Sequence, residues 1–288
     1  MGDVFYFDNA NSELMALNDG ETTILSGYGD AGAIQAQVAA DRVPYKDGQV
    51  YRGLYTPPRD FSIVLEIVTA SAAALLTRED ALRRHLSAYA GQGTLRFLRA
   101  DGSWRYLDCR CIAAPKMSQD RDVMHARRAF VFRADNPHWY DPTLESVTIY
   151  LGALGGLTFP WFDGVAELAF TETEIDTDAD MVNDGELDTW PTVVVNGPVD
   201  NPSVTNDTTG QTIGVTQTMD ANDTLTFDMA AKTALFYDDG AGTVAEVNLS
   251  TGSEYWPLKV GHNLVAITGA GATEGSVVVS WYKYFLGA

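Results

Sequence analysis

An acidic run holds the residues whose chemistry is easiest to name. Asp176, Asp178 and Asp180 alternate with uncharged residues and are followed by further oxygen-bearing side chains. Carboxylate and amide oxygens are the ligands that calcium prefers, so the run could hold that cation. It departs from the EF-hand pattern, because Met181 stands where glycine is needed and Leu187 where a bidentate glutamate is needed. A solvated acidic connector is the favoured interpretation, and a calcium site is the alternative.

A second candidate site is aromatic. Trp190, Tyr255 and Trp256, together with Trp281, could present ring faces to the C–H groups of a sugar. Most of them fall inside or beside predicted strands, where a buried Trp commonly anchors a β-sandwich. Packing in a core is therefore the favoured interpretation, with a glycan-binding platform of Trp190, Tyr255 and Trp256 as the alternative.

Catalytic constellations are missing from the sequence. The four histidines fall in separate segments, and there is no nucleophile elbow, no zinc-protease helix and no glycine-rich phosphate loop. We therefore expect no catalytic residue, no cofactor and no enzyme activity. Glycosidase chemistry stays open at this point, because its two acids can be far apart in the chain.

The two cysteines, Cys109 and Cys111, lie two residues apart in an alternating segment, which places both thiols on one face of a strand. Such neighbours rarely reach disulfide geometry. A zinc site would need distant ligands such as His85 or His125. Reduced thiols in the core are the favoured interpretation.

Length and charge divide the chain. A chain of 288 residues, 45% of them hydrophobic, favours two domains. Residues 1–150 hold 16 basic and 19 acidic side chains, whereas residues 151–288 hold 3 basic and 20 acidic ones. The second half should therefore repel nucleic acid and anionic lipid. Neither a secretory signal nor a membrane-spanning segment is expected.

Periodicity predicts an α+β domain over residues 1–150. Residues 70–89 place Leu75, Leu82 and Leu86 at helical spacing before a pair of glycines. Strands are expected at residues 61–68, 94–98, 104–112 and 126–133. A glycine-rich and apolar connector follows at residues 151–170.

The rest of the chain, residues 171–288, predicts a β-sandwich. Short alternating segments separated by turn signals are expected to form strands at residues 193–195, 212–216, 224–229, 235–237, 243–249, 263–267 and 277–284. The fold class is therefore mainly β.

Ordered fragments across nearly the whole chain resemble the distal tail protein family of siphophages. They are residues 47–54, 57–61, 102–106 and 128–140 in the first half, and residues 182–191, 195–206, 209–213, 258–265 and 277–284 in the second. The second set is similar to the galectin-like domain of such proteins. The resemblance thus implies an α+β domain with one helix and a protruding arm, followed by a galectin-like sandwich.

The resemblance also implies a structural role. It implies a ring, usually of six copies, at the virion tail tip, which joins the tail tube to the host-recognition apparatus. The implied partners are further copies of the chain, the tail tube protein, the tape-measure protein and the tail-tip hub or receptor-binding proteins. DNA would pass through the ring with transient and non-specific contact. Assembly would take place in the host cytoplasm, without membrane insertion.

An arm around residues 42–54 is expected to grip a neighbouring copy. Its candidate contact residues are Arg42, Tyr45, Tyr51, Arg52 and Leu54. The alternative function is a carbohydrate-binding adhesion module of the tail tip that contacts the host cell wall.

Overall fold

Antiparallel strands make up most of the chain, and the residues described contain one α-helix, which confirms the prediction of a mainly β protein. The computed structural model describes residues 4–11, 13–29, 36–42, 44–45, 47–113, 124–151, 174–270 and 275–288. The chain forms two units, Met1–Pro142 with Phe285–Ala288, and Thr143–Tyr284. The domain limits predicted from the sequence stay a prediction, since the predicted connector at 151–170 lies outside the described residues except for Leu151.

One large sheet and one helix build the first unit. Its elements are β1 (Val4–Asp8), β2 (Leu14–Ala16), β3 (Thr23–Gly29), β4 (Gln37–Arg42), β5 (Gln49–Tyr55), β6 (Arg59–Val68), α1 (Ala72–His85), β7 (Gly93–Leu98), β8 (Trp104–Ala113), β9 (His125–Ala134) and β10 (Trp139–Tyr140). The strand order is β2-β1-β7-β8-β9-β6-β3, and β10 pairs with β8. Strands β4 and β5 pair with each other in a separate two-stranded sheet.

Helix α1 begins where the sequence provides a cap. The hydroxyl oxygen of Ser71 accepts a hydrogen bond from the backbone N–H of Ala74, which satisfies a donor that the first helical turn leaves without a partner. Leu75 and Leu82 are buried in the same apolar cluster as the inward-facing residues of the sheet. The predicted helix at 70–89 is thus observed with shorter bounds, followed by a 3₁₀ turn at Ala88–Ala90.

Both cysteines of β8 lie in this core, as predicted. Cys109 and Cys111 are buried and free. Burial raises the pKa of the Cys109 thiol well above its usual range and raises that of Cys111 to about 11. Because the thiolate is the reactive form, both groups are chemically inert in the folded protein at neutral pH.

Two sheets build the second unit. Its strands are β11 (Glu145–Leu151), β12 (Glu174–Asn183), β13 (Thr192–Asn196), β14 (Val199–Asn206), β15 (Gln211–Gly214), β16 (Thr218–Met219), β17 (Thr224–Asp228), β18 (Thr233–Asp238), β19 (Thr243–Glu246), β20 (Gly261–Ala270) and β21 (Gly275–Trp281). Strand β22 (Tyr284–Phe285) follows and belongs to the large sheet, where it pairs with β10. The six-stranded sheet has the order β11-β21-β13-β17-β18-β19, and the five-stranded sheet contains β12-β20-β14-β15 with β16 beside β14.

The core of the second unit lies between these sheets. Val193, Phe227 and Val279 of the six-stranded sheet and Val204 and Ile267 of the five-stranded sheet are fully buried in one cluster. Side chains alternate along β13 and β21, so the inward positions of these strands are apolar and the outward positions are largely polar. The sandwich predicted from the alternation is therefore the observed architecture.

The acidic run corrects one interpretation. Residues 176–180 were expected to form a solvated connector, but they lie within the ten-residue strand β12, paired along its length with β20. The prediction was wrong because it followed the low strand propensity of Asp. Pairing with β20 and the burial of Met181 at the end of the same strand outweigh that preference.

Candidate assembly and binding surfaces

The predicted arm forms an antiparallel hairpin, which we call the arm hairpin. It consists of β4 and β5, joined with a bulge between Ala39 and Ala40. Two polar contacts tie its strands together. The Arg52 guanidinium lies 2.7 Å from the Asp41 carboxylate, and the Tyr55 hydroxyl donates to the Gln37 side chain at 2.6 Å. Both contacts are exposed, so they contribute little to stability.

The arm hairpin exposes apolar and aromatic side chains. Tyr45 is fully exposed, and Tyr51 and Leu54 are 64% and 60% exposed. Tyr45 also has a φ of 58°, a left-handed conformation that is uncommon for a residue other than glycine. Arg42 and Arg52 are exposed beside them. All five predicted contact residues therefore lie on solvent-accessible positions of one hairpin.

A two-stranded hairpin of this kind is marginally stable by itself. Val38, Val50 and Tyr55 add further exposed apolar surface to that of Tyr51 and Leu54. Contiguous apolar surface on a soluble protein marks an interaction site, because burying it in a partner is favourable. The geometry thus suits a segment that packs on another protein.

The predicted calcium ligands lie on an exposed strand face. Asp176, Asp178 and Asp180 are two residues apart in β12, so the backbone directs them to one face. Asp178 and Asp180 are exposed, and the side chain of Asp176 lies outside the described residues. Asp180 forms a 2.8 Å contact with His262. Among the residues described, no three His, Cys, Asp or Glu side chains are placed to hold a metal ion.

The predicted glycan residues have different surroundings. Trp256 is fully buried in the core of the sandwich, so its ring is not accessible to a sugar. Tyr255 is partly buried against the same core, and Trp190 is 43% exposed. Only Trp190 and Tyr255 could therefore contribute to the platform, which stays a prediction.

The four histidines make separate contacts. The buried His85 ring contacts the Phe7 carbonyl through Nε2 at 2.8 Å and the Asn9 amide through Nδ1 at 3.2 Å. His125 lies 3.9 Å from Glu66, and His262 contacts Asp180. Burial, helped by the charge of Arg59, lowers the pKa of His138. None of these contacts, all within the described part of the chain, includes a Ser or Cys nucleophile.

One outer face of the first unit was missed by the sequence reasoning. Tyr6, Arg96 and Tyr106 lie side by side on β1, β7 and β8, and the Arg96 guanidinium lies 5.2 Å from the centre of the Tyr106 ring. The next row holds Asp8, Thr94 and Asp108 beside an open depression. Only strand register brings these residues together, and the sequence does not specify it.

Comparison with known protein families finds a match that lies mostly in the second unit. Residues 184–285 match the family model described as the siphovirus-type tail component, C-terminal domain. Over residues 184–285 the chain is thus similar to a siphovirus-type tail component domain. The resemblance predicted from the sequence is thus confirmed. The matched region begins just after β12 and ends at Phe285, so the match covers most of the sandwich.

Solved structures extend the likeness in fold to nearly the whole chain. The SPP1 Dit protein, described as a paradigm of the hub adsorption apparatus in Gram-positive infecting phages, aligns with a TM-score of 0.64 and 13% identity, over 99% of this chain and 100% of that one. Chains of the phage P2 baseplate in its activated conformation, with calcium or with strontium, align at 11% identity, over 97% of this chain and 98% of theirs, with TM-scores of 0.48 and 0.47. Curated protein sequences gave no match.

The described part of the chain contains no helix long and apolar enough to cross a membrane.

Proposed function

We propose that the chain is a structural distal tail protein of a long-tailed phage, which forms a ring of six copies at the tail tip. The observation that carries this proposal is the match of residues 184–285 to the tail component family model. The likeness in fold to the SPP1 Dit protein over nearly the whole chain supports it. In this function the protein joins the tail tube to the host-recognition apparatus and needs no catalytic residue or cofactor.

The arm hairpin supplies the contact between copies in this proposal. Tyr45, Tyr51 and Leu54 are exposed on one copy and become buried against the first unit of the next. Arg42 and Arg52 add charged groups to the rim of that contact. A head-to-tail contact of this type closes into a ring when the rotation between copies allows it.

Further partners follow from the position at the tail tip. The ring contacts the tail tube and tape-measure proteins on one side and the hub or receptor-binding proteins on the other. DNA passes through it without specific contact, since no base-reading site is needed for passage. Assembly takes place in the host cytoplasm, and the finished protein is part of the virion.

Substitution of arm residues tests the assembly proposal. Tyr51→Ser combined with Leu54→Ser removes apolar area from the arm hairpin, and we expect the oligomer to dissociate at concentrations where the parent chain stays assembled. Multi-angle light scattering across a dilution series measures this. Val260→Ser with Leu264→Ser is the matched control, because both residues are exposed on the second unit. Equal dissociation of both variants, or of neither, would contradict a role of the arm.

A second candidate function is binding of a host cell-wall carbohydrate by the sandwich. The observation that favours it is the outward face of the six-stranded sheet, which presents hydroxyl and amide side chains in an otherwise acidic half of the chain. Retention of the full chain on purified cell walls, abolished by a competing soluble glycan, would support this function. If the chain is not retained on the cell walls, this function is contradicted.

A further inference from the structure

The outer face of the six-stranded sheet is nearly free of charge. Alternation and register place the following residues outward: Ser146, Thr148 and Tyr150 on β11; Ser276, Val278 and Ser280 on β21; Thr192, Val194 and Asn196 on β13; Thr224, Thr226 and Asp228 on β17; Thr233, Leu235 and Tyr237 on β18; Val244 and Glu246 on β19. Asp228 and Glu246 are the charged members of this set. Hydroxyl and amide groups predominate.

This neutrality departs from the composition of the region. Residues 151–288 contain 20 acidic and 3 basic side chains. On the five-stranded sheet, the outward positions include Asp178, Asp180 and His262. Asp228 and Glu246 account for two of the 20 acidic side chains, so the outward positions of the six-stranded sheet hold few of them.

One row across this face has a composition suited to a sugar chain. Register aligns Tyr150, Ser276, Asn196, Thr224, Tyr237 and Val244 across the six strands, and we call them the hydroxyl row. Tyr150 is 75% exposed and Val244 is 64% exposed. Four inter-strand spacings separate Tyr150 from Tyr237, which corresponds to ~19 Å. Two phenol rings thus flank a polar centre over the length of a short oligosaccharide.

Hydrogen-bonding capacity is available along the hydroxyl row. The Asn196 amide donates to the Ser276 hydroxyl at 3.0 Å, which orients the amide and leaves its carbonyl oxygen as an acceptor. Within the described residues, the hydroxyls of Tyr150, Thr224 and Tyr237 have no hydrogen bond to protein. These groups are both donors and acceptors, as a sugar hydroxyl requires of its partners.

We propose that the hydroxyl row binds a neutral oligosaccharide, with Tyr150 and Tyr237 stacking on sugar rings and Asn196, Thr224 and Ser276 bonding the sugar hydroxyls. Asp228 and Glu246 on this face, together with the net negative charge of residues 151–288, disfavour phosphate-bearing polymers and other anions. A protein partner is less suited, because the centre of a protein interface is usually apolar and rich in large side chains. This proposal rests on the carbohydrate-binding function proposed for the sandwich, and it assigns the site to residues other than Trp190 and Tyr255.

Binding of the full chain to immobilised glycans tests the proposal. The probes are neutral hexose oligosaccharides and their carboxylated or phosphorylated counterparts on one array, followed by calorimetric titration of any neutral oligosaccharide that is retained. The expected result is retention of neutral but not anionic probes. Tyr150→Ala should weaken the titrated affinity about tenfold through lost stacking, and Asn196→Ala should weaken it in the same direction.

Matched controls separate the row from other exposed positions. Tyr89→Ala removes an exposed tyrosine from the first unit, and Thr268→Ala, the control for Thr224→Ala, removes an exposed threonine from the five-stranded sheet. Both should bind as the parent does. Circular dichroism melting confirms that the row variants remain folded.

Three outcomes would overturn the proposal. In the first, no neutral probe is retained. In the second, the row variants and the control variants lose oligosaccharide affinity equally. In the third, Trp190→Ala loses affinity and Tyr150→Ala does not. The last outcome would support the predicted platform instead. The oligomeric mass of the same samples is measured separately, so a failure of glycan binding is distinguishable from a failure of the tail-ring function.

Discussion

A buried ion pair joins the helix and the sheet of the first unit. Glu79 of α1 and Arg128 of β9 approach to 2.5 Å, and their side chains are only 3% and 5% exposed. Charges removed from water are costly, and each partner compensates the other. The pair therefore holds α1 at one position on the sheet. Each buried charge is tolerated only while its partner is present.

Removing one member of this pair should be strongly destabilising. Glu79→Leu leaves the Arg128 guanidinium buried without its counter-charge, and we expect a loss of about 3–5 kcal/mol in the free energy of unfolding. Urea denaturation followed by fluorescence measures it. In Glu79→Leu with Arg128→Met, no charge is left buried, so most of the loss should be recovered. A double variant no more stable than the single one would contradict this account.

Asp19 provides a pH-dependent contribution at the turn before β3. Burial disfavours its charge, but hydrogen bonds from the Thr22 hydroxyl and from the backbone N–H groups of Glu21, Thr22 and Thr23 outweigh that effect and lower its pKa to about 2. The pKa is thus depressed below the usual 3.8. The folded state gains stability from the ionised group above the usual pKa and loses it as the pH falls toward 2.

Replacement of Asp19 should remove part of that acid sensitivity. Asp19→Asn is expected to lower the melting temperature at neutral pH. Between pH 4 and pH 2 the melting temperature of this variant should fall less steeply than that of the parent, because residue 19 no longer takes up a proton. Differential scanning calorimetry across that range checks it. Asp47→Asn, at an exposed turn, is the control. Parallel melting curves for parent and Asp19→Asn would rule out the contribution.

At the scale of elements, strand β22 links distant parts of the sequence. Phe285 packs against the core of the first unit, and the Arg105 guanidinium lies 3.6 Å from the centre of its ring. The buried Arg59 guanidinium donates to the carbonyl of Leu286 at 2.8 Å. Residues 285–288 are therefore part of the first unit, although they follow the whole of the second in sequence.

Truncation of the Phe285 side chain should weaken the first unit. Phe285→Ala removes partly buried ring area and the cation–π contact, so we expect a loss of about 1–3 kcal/mol. Denaturant unfolding monitored by exchange of the core amides in β8 and β9 reports on this unit. Phe285→Tyr keeps the ring and should stay near the parent. An unchanged unfolding midpoint for Phe285→Ala would show that the segment is dispensable.

Elements with a clear period could be predicted from the sequence. Helix α1 followed from Leu75 and Leu82 at helical spacing, and β6, β7, β8 and β9 were predicted within one or two residues of their observed bounds. Strands β1, β2, β3, β11 and β16 were not predicted, and neither were β12 and β14. Their asparagine, aspartate and proline residues favour turns locally, whereas pairing with β20 determines their conformation.

Sites that depend on register could not be predicted. Trp256 was a candidate for a surface platform, yet its position against both sheets buries it completely. The hydroxyl row draws one residue from each of six strands that are far apart in sequence, so no local spacing indicates it. Family resemblance, rather than periodicity, led to the expectation of an arm around residues 42–54. Strands β4 and β5 form a hairpin there, and its role as an arm stays a prediction.

At the scale of the whole molecule, the two units differ in what they offer to partners. The first unit has balanced charge and an exposed arm hairpin, and the second is an acidic sandwich, most of which matches the tail component family model. These features divide the proposed function between ring assembly by the first unit and outward contact by the second. The ring is the central claim, because every partner in the proposal depends on it.

The mass of the assembly tests that claim most directly. Native mass spectrometry of the full chain, alone and mixed with tail tube protein, should show a species of six copies of 31.3 kDa, ~188 kDa, which electron microscopy resolves as a closed ring. A chain that remains monomeric in both samples at every concentration would contradict the account.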